Sequence, residues 1–163
     1  MSGSDVAEVD EGLTVEPPTV ADLFREQYRP MVRLAYLLVG SNALAEELVQ
    51  DSFARVHRRW DRVVNPRAYL RVTVVNACRS HRRRAVLERT RRPGPAPEAT
   101  VGQPDELWDA LADLPARQRA ALVLRFYEDL SEADIAAALG CRPGTVKSLL
   151  HRGLGELRKV VER

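Results

Sequence analysis

The sequence predicts an all-α protein of two small helical domains joined by a flexible linker. Three observations predict it. Apolar residues recur at steps of three and four on both sides of residue 88, the period of an amphipathic helix. Aromatic residues make up 6 % of a 163-residue chain that is 45 % hydrophobic, so the core rests on Leu, Val and Ala, which suits helices. Residues 88–104 hold four Pro and two Gly and no periodicity, the composition of a connector.

The elements follow in order. Residues 1–18 are acidic, contain Pro17-Pro18, and read as a disordered tail. A helix then runs from Val20, with Phe24, Tyr28, Met31, Ala35 and Leu38 on one face. Pro30 lies inside it and predicts either a kink or a break with Pro30 opening the second piece. Gly40-Ser41-Asn42 ends this helix and caps the next. The second helix, about 43–60, buries Leu44, Leu48, Val49, Phe53, Val56 and Trp60. Its other side carries Glu46, Glu47, Gln50, Asp51 and Arg58, which taken alone is a solvated face. The third helix has Asn65 as cap and Pro66 at its first position, and dissolves into Arg82-Arg83-Arg84. Residues 71–75 alone could form a strand, but helical pattern on both sides favours helix.

Beyond the linker, Leu107, Leu111 and Leu114 mark a short helix, and Pro115 opens another that carries Leu122, Leu124 and Phe126. Ser131 and Asp134 form a capping box in front of Ile135, Ala136 and Leu139. Gly140 supplies a left-handed stop, and Pro143 opens a last helix with Val146, Leu150, Leu154 and Leu157 inward. Short helix, glycine turn and second helix make a helix-turn-helix, a motif that in some proteins serves structure alone. Where it binds DNA, the second helix enters the major groove by its first turns. Arg142, Thr145, Lys147, Ser148, His151 and Arg152 lie outward there, and all can donate to phosphates or base edges.

Charge distribution points the same way. The 25 basic residues, 23 of them Arg, nearly balance 23 acidic ones, for a net +2. Residues 1–18 nevertheless carry five carboxylates and no base, a net −5. Residues 55–92 carry thirteen Arg against Asp61 and Glu88, a net +11. No uncharged run approaches the ~20 apolar residues of a membrane span, and the acidic start lacks the apolar core of a secretion signal. Cys78 and Cys141 are too few for a disulfide framework or a metal knuckle and read as incidental thiols of a reducing cytoplasm. No phosphate-cradling Gly loop, nucleophile elbow or metal cluster is present, so no catalytic residue, metal site or cofactor is expected.

With these residues laid out, the chain resembles a sigma factor of bacterial RNA polymerase, of the extracytoplasmic-function group. The first lobe, 19–87, resembles the family's region 2 through Leu34-Ala-Tyr-Leu-Leu-Val-Gly40, Ala45-Glu-Glu-Leu-Val-Gln50 with Phe53, Pro66-Arg-Ala-Tyr-Leu-Arg71 and Asn76. The second, 105–163, resembles region 4 through Leu114-Pro115, Gln118-Arg119, Leu124-Arg-Phe126 and Gly144-Thr-Val-Lys-Ser148. The resemblance implies a non-catalytic promoter-specificity subunit that binds core RNA polymerase and promoter DNA, both as duplex and as melted non-template strand. It implies that Glu46, Glu47, Val49, Gln50 and Asp51 dock on the polymerase. It gives opening of the downstream element, with capture of a flipped base, to Arg62, Asn65, Arg67, Tyr69, Arg71, Asn76, Arg79, Arg82 and Arg83. Physically, a captured single strand wants a basic track with stacking groups, though Tyr69 could equally be core. Upstream-element reading falls to the six outward residues of the last helix. An anti-sigma factor is a further partner that the resemblance alone implies.

Three departures stand out. Arg142 replaces the Ser or Thr usual at the recognition helix's cap, a loss of roughly 1 kcal/mol. Leu149 occupies a commonly basic position, and Glu47 stands where Asp is usual. Two other readings were weighed: a helix-turn-helix repressor or activator dimerising through its first lobe on palindromic sites, and an enzyme using the carboxylates of Glu46, Glu47 and Asp51 as metal ligands. The first leaves the basic third helix unexplained, and the second lacks a His on that face.

Overall fold

The computed structural model describes residues 16–92 and 105–162. The expectations for the acidic tail and linker fall mostly on residues 1–15 and 93–104, outside the described residues. Everything described is helix or turn, without a strand.

The first lobe is three long helices, α1 (Val20–Val39), α2 (Asn42–Arg58) and α3 (Pro66–Arg91), with a 3-10 turn at Trp60–Arg62 before α3. Thr19 caps α1 through a reciprocal box: its hydroxyl accepts from the Asp22 N–H, and the Asp22 carboxylate accepts from the Thr19 N–H. α1 does not break at Pro30. That residue is exposed, on the side where water can meet the carbonyl it frees, and the helix continues through it. Gly40 closes α1 at φ +79°, and the Ser41 hydroxyl accepts from the Leu44 N–H to start α2. Asn65 and Pro66 start α3 as expected. α3 then passes through the arginine run to Arg91, beyond the end expected at Arg82-Arg83-Arg84. Arg, Ala, Leu and Glu are good helix formers, and nothing before Pro93 interrupts them.

The second lobe holds α4 (Glu106–Ala112), α5 (Ala116–Leu122), α6 (Glu132–Leu139) and α7 (Pro143–Val161). α5 widens into a π turn at Val123–Tyr127, where the Glu128 N–H donates to the Val123 carbonyl at 3.2 Å. Phe126, expected inward, is 65 % exposed because the wider turn rotates it off the buried stripe. Ser131 caps α6, but its hydroxyl donates to the Asp134 carboxylate, so only half of the expected capping box forms. Gly140 takes φ +60°, as the helix-turn-helix requires.

The lobes are packed against each other on one continuous core. Leu34, Leu37, Val49, Leu70 and Val74 are fully buried in the first lobe, and Leu124, Ile135 and Val146 in the second. α3 lies along α6, and α1 touches α5 and the π turn. The Trp108 ring packs so closely on Gly40 that a Cβ there would sit 2.1 Å from it. The same ring lies 5.5 Å from Tyr36 on one side and 5.0 Å from the Arg119 guanidinium on the other. Arg119 itself is buried and donates to the carbonyls of Leu111, Ala112 and Leu38, tying the two lobes together.

Candidate nucleic-acid interface

The recognition end of α7 is built from backbone geometry rather than from a side-chain cap. Arg142 is extended, at φ −79° and ψ 151°, and its side chain makes no capping bond. Its carbonyl accepts from the Thr145 and Val146 N–H groups, while Pro143 fills the position that needs no donor. Val146 and Leu150 are buried and hold the helix down. Farther along, Gly153 allows α5 to approach, since a Cβ would lie 3.0 Å from the Leu122 side chain. Arg142, Thr145, Lys147, Ser148, His151 and Arg152 are all exposed on one rim. Two are lightly engaged: Lys147 Nζ lies 3.9 Å from the Glu132 carboxylate, and the Ser148 hydroxyl donates to the Gly144 carbonyl. Leu149 is half-buried against the core, which explains why a charge is absent there.

The residues expected to handle a separated strand divide into two groups. Asn65, Tyr69 and Asn76 share a face of α3 and close a corner against α2. Arg71 and Arg79 turn toward the second lobe, Arg79 also donating to the Asn76 side chain, while Arg82 turns back to the Leu38 carbonyl of α1. The two-residue step from Tyr69 to Arg71 is ~200° around the helix, so one α-helix cannot present both to one groove.

At the corner, two adjoining pockets open. One of about 460 Å³ is lined by Arg55, Arg58, Arg59, Tyr69, Val72, Thr73 and Asn76. The other, of about 400 Å³, is lined by Arg59, Arg62, Val63, Val64, Asn65 and Tyr69. Arg59 and Tyr69 belong to both, and an Arg59 Nη donates to the Tyr69 hydroxyl at 3.5 Å. Tyr69 is half-buried against the core, with its hydroxyl accepting from Arg59. The Asn65 side-chain oxygen accepts from the Ala68 N–H, which leaves its NH₂ for a ligand. Val64 is fully exposed at the rim. Cationic walls, a phenol face and amide donors suit an unstacked base and its phosphates. Arg55, Arg59, Val63, Val64, Val72 and Thr73 were not assigned to this site from sequence, and Arg58 was placed only on the polar face of α2. The signal was present: Arg55, Arg58 and Arg59 stand at i, i+3 and i+4, one face of α2.

The other basic residues are largely engaged. Arg67 pairs with Glu26. Arg71 Nε donates to the Glu128 carboxylate at 2.6 Å, and that carboxylate side chain is only 9 % exposed. Arg79 donates to the Ala138 carbonyl, and Arg82 to the Leu38 carbonyl. Burial, helped by nearby Arg89, pulls the Arg82 guanidinium below its ordinary pKa. Arg62 and Arg83 are exposed.

The polar face of α2 presents Glu46, Glu47, Gln50 and Asp51 to solvent, with Gln50 donating to the Tyr28 hydroxyl. Val49, grouped with them from sequence, is fully buried and supports the face from behind. Among the described residues no cluster of His, Cys, Asp and Glu could hold a metal ion. No described helix is long and apolar enough to cross a membrane. Cys78 is buried, and burial pushes its thiol up to about 12; Cys141 is half-buried, and both are free.

Comparison with known proteins aligns these lobes with two family models. Residues 23–87 match Sigma-70 region 2 and residues 105–157 match Sigma-70, region 4. The RNA polymerase sigma-E factor of Streptomyces avermitilis is 36 % identical over 148 residues, covering 85 % of this chain and 82 % of that protein. The ECF RNA polymerase sigma factor SigL of Mycobacterium tuberculosis is 32 % identical, covering 96 % and 97 %. Among solved structures, the sigma factor RpoE of Bartonella quintana, crystallised with the anti-sigma factor NepR, superposes with a TM-score of 0.75 at 25 % identity, over 87 % of this chain and 96 % of that one. CnrH, in complex with the cytosolic domain of CnrY, shares the fold with a TM-score of 0.64 at 21 % identity, over 88 % and 87 %.

Proposed function

The chain belongs to the sigma-70 family, in its extracytoplasmic-function group, and from that premise we propose how its surfaces divide the work of initiation. It is an RNA polymerase sigma factor, which directs promoter-specific transcription initiation by binding core polymerase and promoter DNA. In this proposal residues 19–87 dock on the polymerase through Glu46, Glu47, Gln50 and Asp51. The α2–α3 corner takes a flipped base of the non-template strand, with Tyr69 offering a stacking face and Arg55, Arg58 and Arg59 meeting the phosphates. Residues 105–163 read the upstream element as duplex through the exposed rim of α7. The segment between the lobes lets them part. The protein does no chemistry of its own and works in the cytoplasm, where the polymerase is.

The observation that carries this division is the pair of pockets meeting at Arg59 and Tyr69, on the opposite side of α3 from the second lobe. It gives the strand a site that stays open even while Arg71, Arg79 and Arg82 are held. Arg71 and Arg79, whose partners Glu128 and Ala138 belong to the second lobe, become available when the lobes separate, so the packed arrangement is a resting form. The Bartonella relative adopts a similar arrangement beside its anti-sigma factor, which supports an inhibitor of that kind as a partner that keeps the lobes together.

Reconstituted transcription with core polymerase tests the division. Tyr69→Ala and Arg59→Ala are expected to leave polymerase binding intact and to abolish permanganate-reactive thymines in the downstream element. Glu47→Lys with Asp51→Lys should lose polymerase binding first. Normal strand opening by both corner variants would overturn the assignment of the pockets.

A further inference from the structure

A third groove lies between α3 and the second lobe, lined in part by Arg79 and Arg82, which are held in the packed form. It encloses about 620 Å³. Leu38, Val75, Ala120 and Leu139 make its floor, and Val86 and Leu87 make one wall. Those two wall residues are 58 % and 53 % exposed, unusual for adjacent aliphatic side chains on a helix that is otherwise mostly polar. Arg79, Arg82, Arg83 and Arg117 stand around it, and no carboxylate lines it. Arg83 and Arg117 make no hydrogen bond or ion pair among the described residues, and Arg82 sits depressed in pKa by burial without an anion.

An apolar floor under a cationic rim selects its occupant. A nucleic-acid strand would satisfy the rim but lay phosphates and sugars over aliphatic side chains that need covering. An acidic peptide with interspersed aliphatic residues satisfies both. This chain contains one. Asp5-Val-Ala-Glu-Val-Asp-Glu-Gly-Leu-Thr-Val-Glu16 carries five carboxylates, four large aliphatics and no base. The linker, by contrast, offers the single carboxylate Glu98 between residues 93 and 104.

The segment also reaches. Leu38 lies nineteen residues along α1 from its cap Thr19, ~28 Å at the rise of an α-helix. Val9, ten residues before Thr19, spans ~33 Å when extended. We propose that this groove is the docking site of the chain's own acidic segment 5–10, with Val6 and Val9 on the floor and Asp5, Glu8 and Asp10 on Arg82, Arg83 and Arg117, residues 11–18 serving as the tether. Docked there, the segment bridges α3 to α5 and α6, holds the lobes together and screens Arg82 and Arg83 from a strand.

A nitroxide on Thr14→Cys in the full chain, with Cys141→Ser and buried Cys78 left in place, reads the docking without DNA or polymerase. The amide signals of Val86, Leu87 and Ala116 should lose more than half their intensity, while those of Glu46 and Glu47 keep theirs. Val86→Asp with Leu87→Asp, both at exposed positions, should abolish the broadening. Uniform intensities overturn the proposal. So does broadening that appears only between a labelled and an isotope-enriched copy, which would make the occupant a second molecule. Deleting residues 2–16 should in addition raise affinity for a fluorescent single-stranded oligonucleotide on the order of fivefold, the low end of typical site-to-site coupling. Unchanged affinity would overturn the screening role.

Discussion

Glu128→Gln should open the molecule. The Glu128 carboxylate accepts from Arg71 Nε at 2.6 Å across the lobe boundary, with the two side chains 9 % and 28 % exposed. A charge-assisted hydrogen bond of this kind contributes about 1.5–3 kcal/mol, against about 1 for a neutral one. Glutamine keeps the shape and a neutral acceptor, so the closed form should lose about 1–2 kcal/mol. That shifts the balance between closed and open roughly 5- to 30-fold. In the open form Arg71 returns to water, so no orphaned charge offsets the change. The other ties, Arg33 to Asp105, Arg79 to the Ala138 carbonyl and Arg119 to the Leu38 carbonyl, remain. Single-molecule energy transfer reads the outcome, with dyes on Asp51→Cys in α2 and Glu156→Cys in α7 in a Cys141→Ser background. Cys78 stays unlabelled because its buried thiol, pushed up to about 12, remains protonated. Glu132→Gln is the matched control. It removes the same charge from a residue whose cation partner, Lys147, lies in the same lobe. An open population in Glu128→Gln no larger than in Glu132→Gln would refute the idea that this pair latches the lobes.

Three further outcomes are expected. Lys147→Ala should weaken binding of the holoenzyme to upstream duplex about equally across sequences and lower the log–log salt slope by about 1, as removal of one phosphate contact does; filter binding at several salt concentrations checks it. Arg119→Met should destabilise the fold by about 3 kcal/mol in urea titration, because the carbonyls of Leu111, Ala112 and Leu38 lose a buried donor. The hydrogen bonds from Arg33 hold the Asp105 carboxyl below its ordinary pKa, so the folded value lies under the unfolded one. The stability this supplies is complete above about pH 4 and disappears as pH falls through the depressed value. Arg33→Met should move the Asp105 carboxyl resonance toward ordinary titration, with the Trp108 and Leu107 N–H groups still lowering it, and flatten that part of the acid-stability curve.

Much of this was legible in the chain. Ser, Asn and Pro ahead of apolar runs located helix starts, though the Thr19 cap was missed, and Gly40 and Gly140 located two stops, because caps and left-handed turns are decided within four or five residues. The outward rim of α7 was legible for the same reason: Val146 and Leu150 set the helix phase, and every neighbour's direction follows from it. Phase alone also shows Val49 to be inward. The matching of Val49 to a family motif made it a surface residue, and its complete burial corrects that. The π turn was not legible, since its extra residue is stabilised by what α5 packs against and leaves no mark on the spacing. The end of α3 was misplaced for a related reason, as a run of arginines looks like a connector although Arg is a good helix former.

Local chemistry thus determined the helices, their caps, the two-lobed order and the concentration of positive charge between residues 55 and 92. Tertiary structure decided which of those charges are free. Arg59 and Tyr69 meet in a pocket, Arg71 and Arg79 meet the second lobe, Arg82 turns back to the Leu38 carbonyl of α1, and residues that look equivalent along the chain are separated around the helix and by packing. Composition adds charges without regard to direction, whereas binding depends on where each one points and what has already claimed it. The packing of Trp108 on Gly40 shows the same limit: a glycine that a helix stop already explains also leaves room for an indole sixty-eight residues away, a contact that only the folded chain can make.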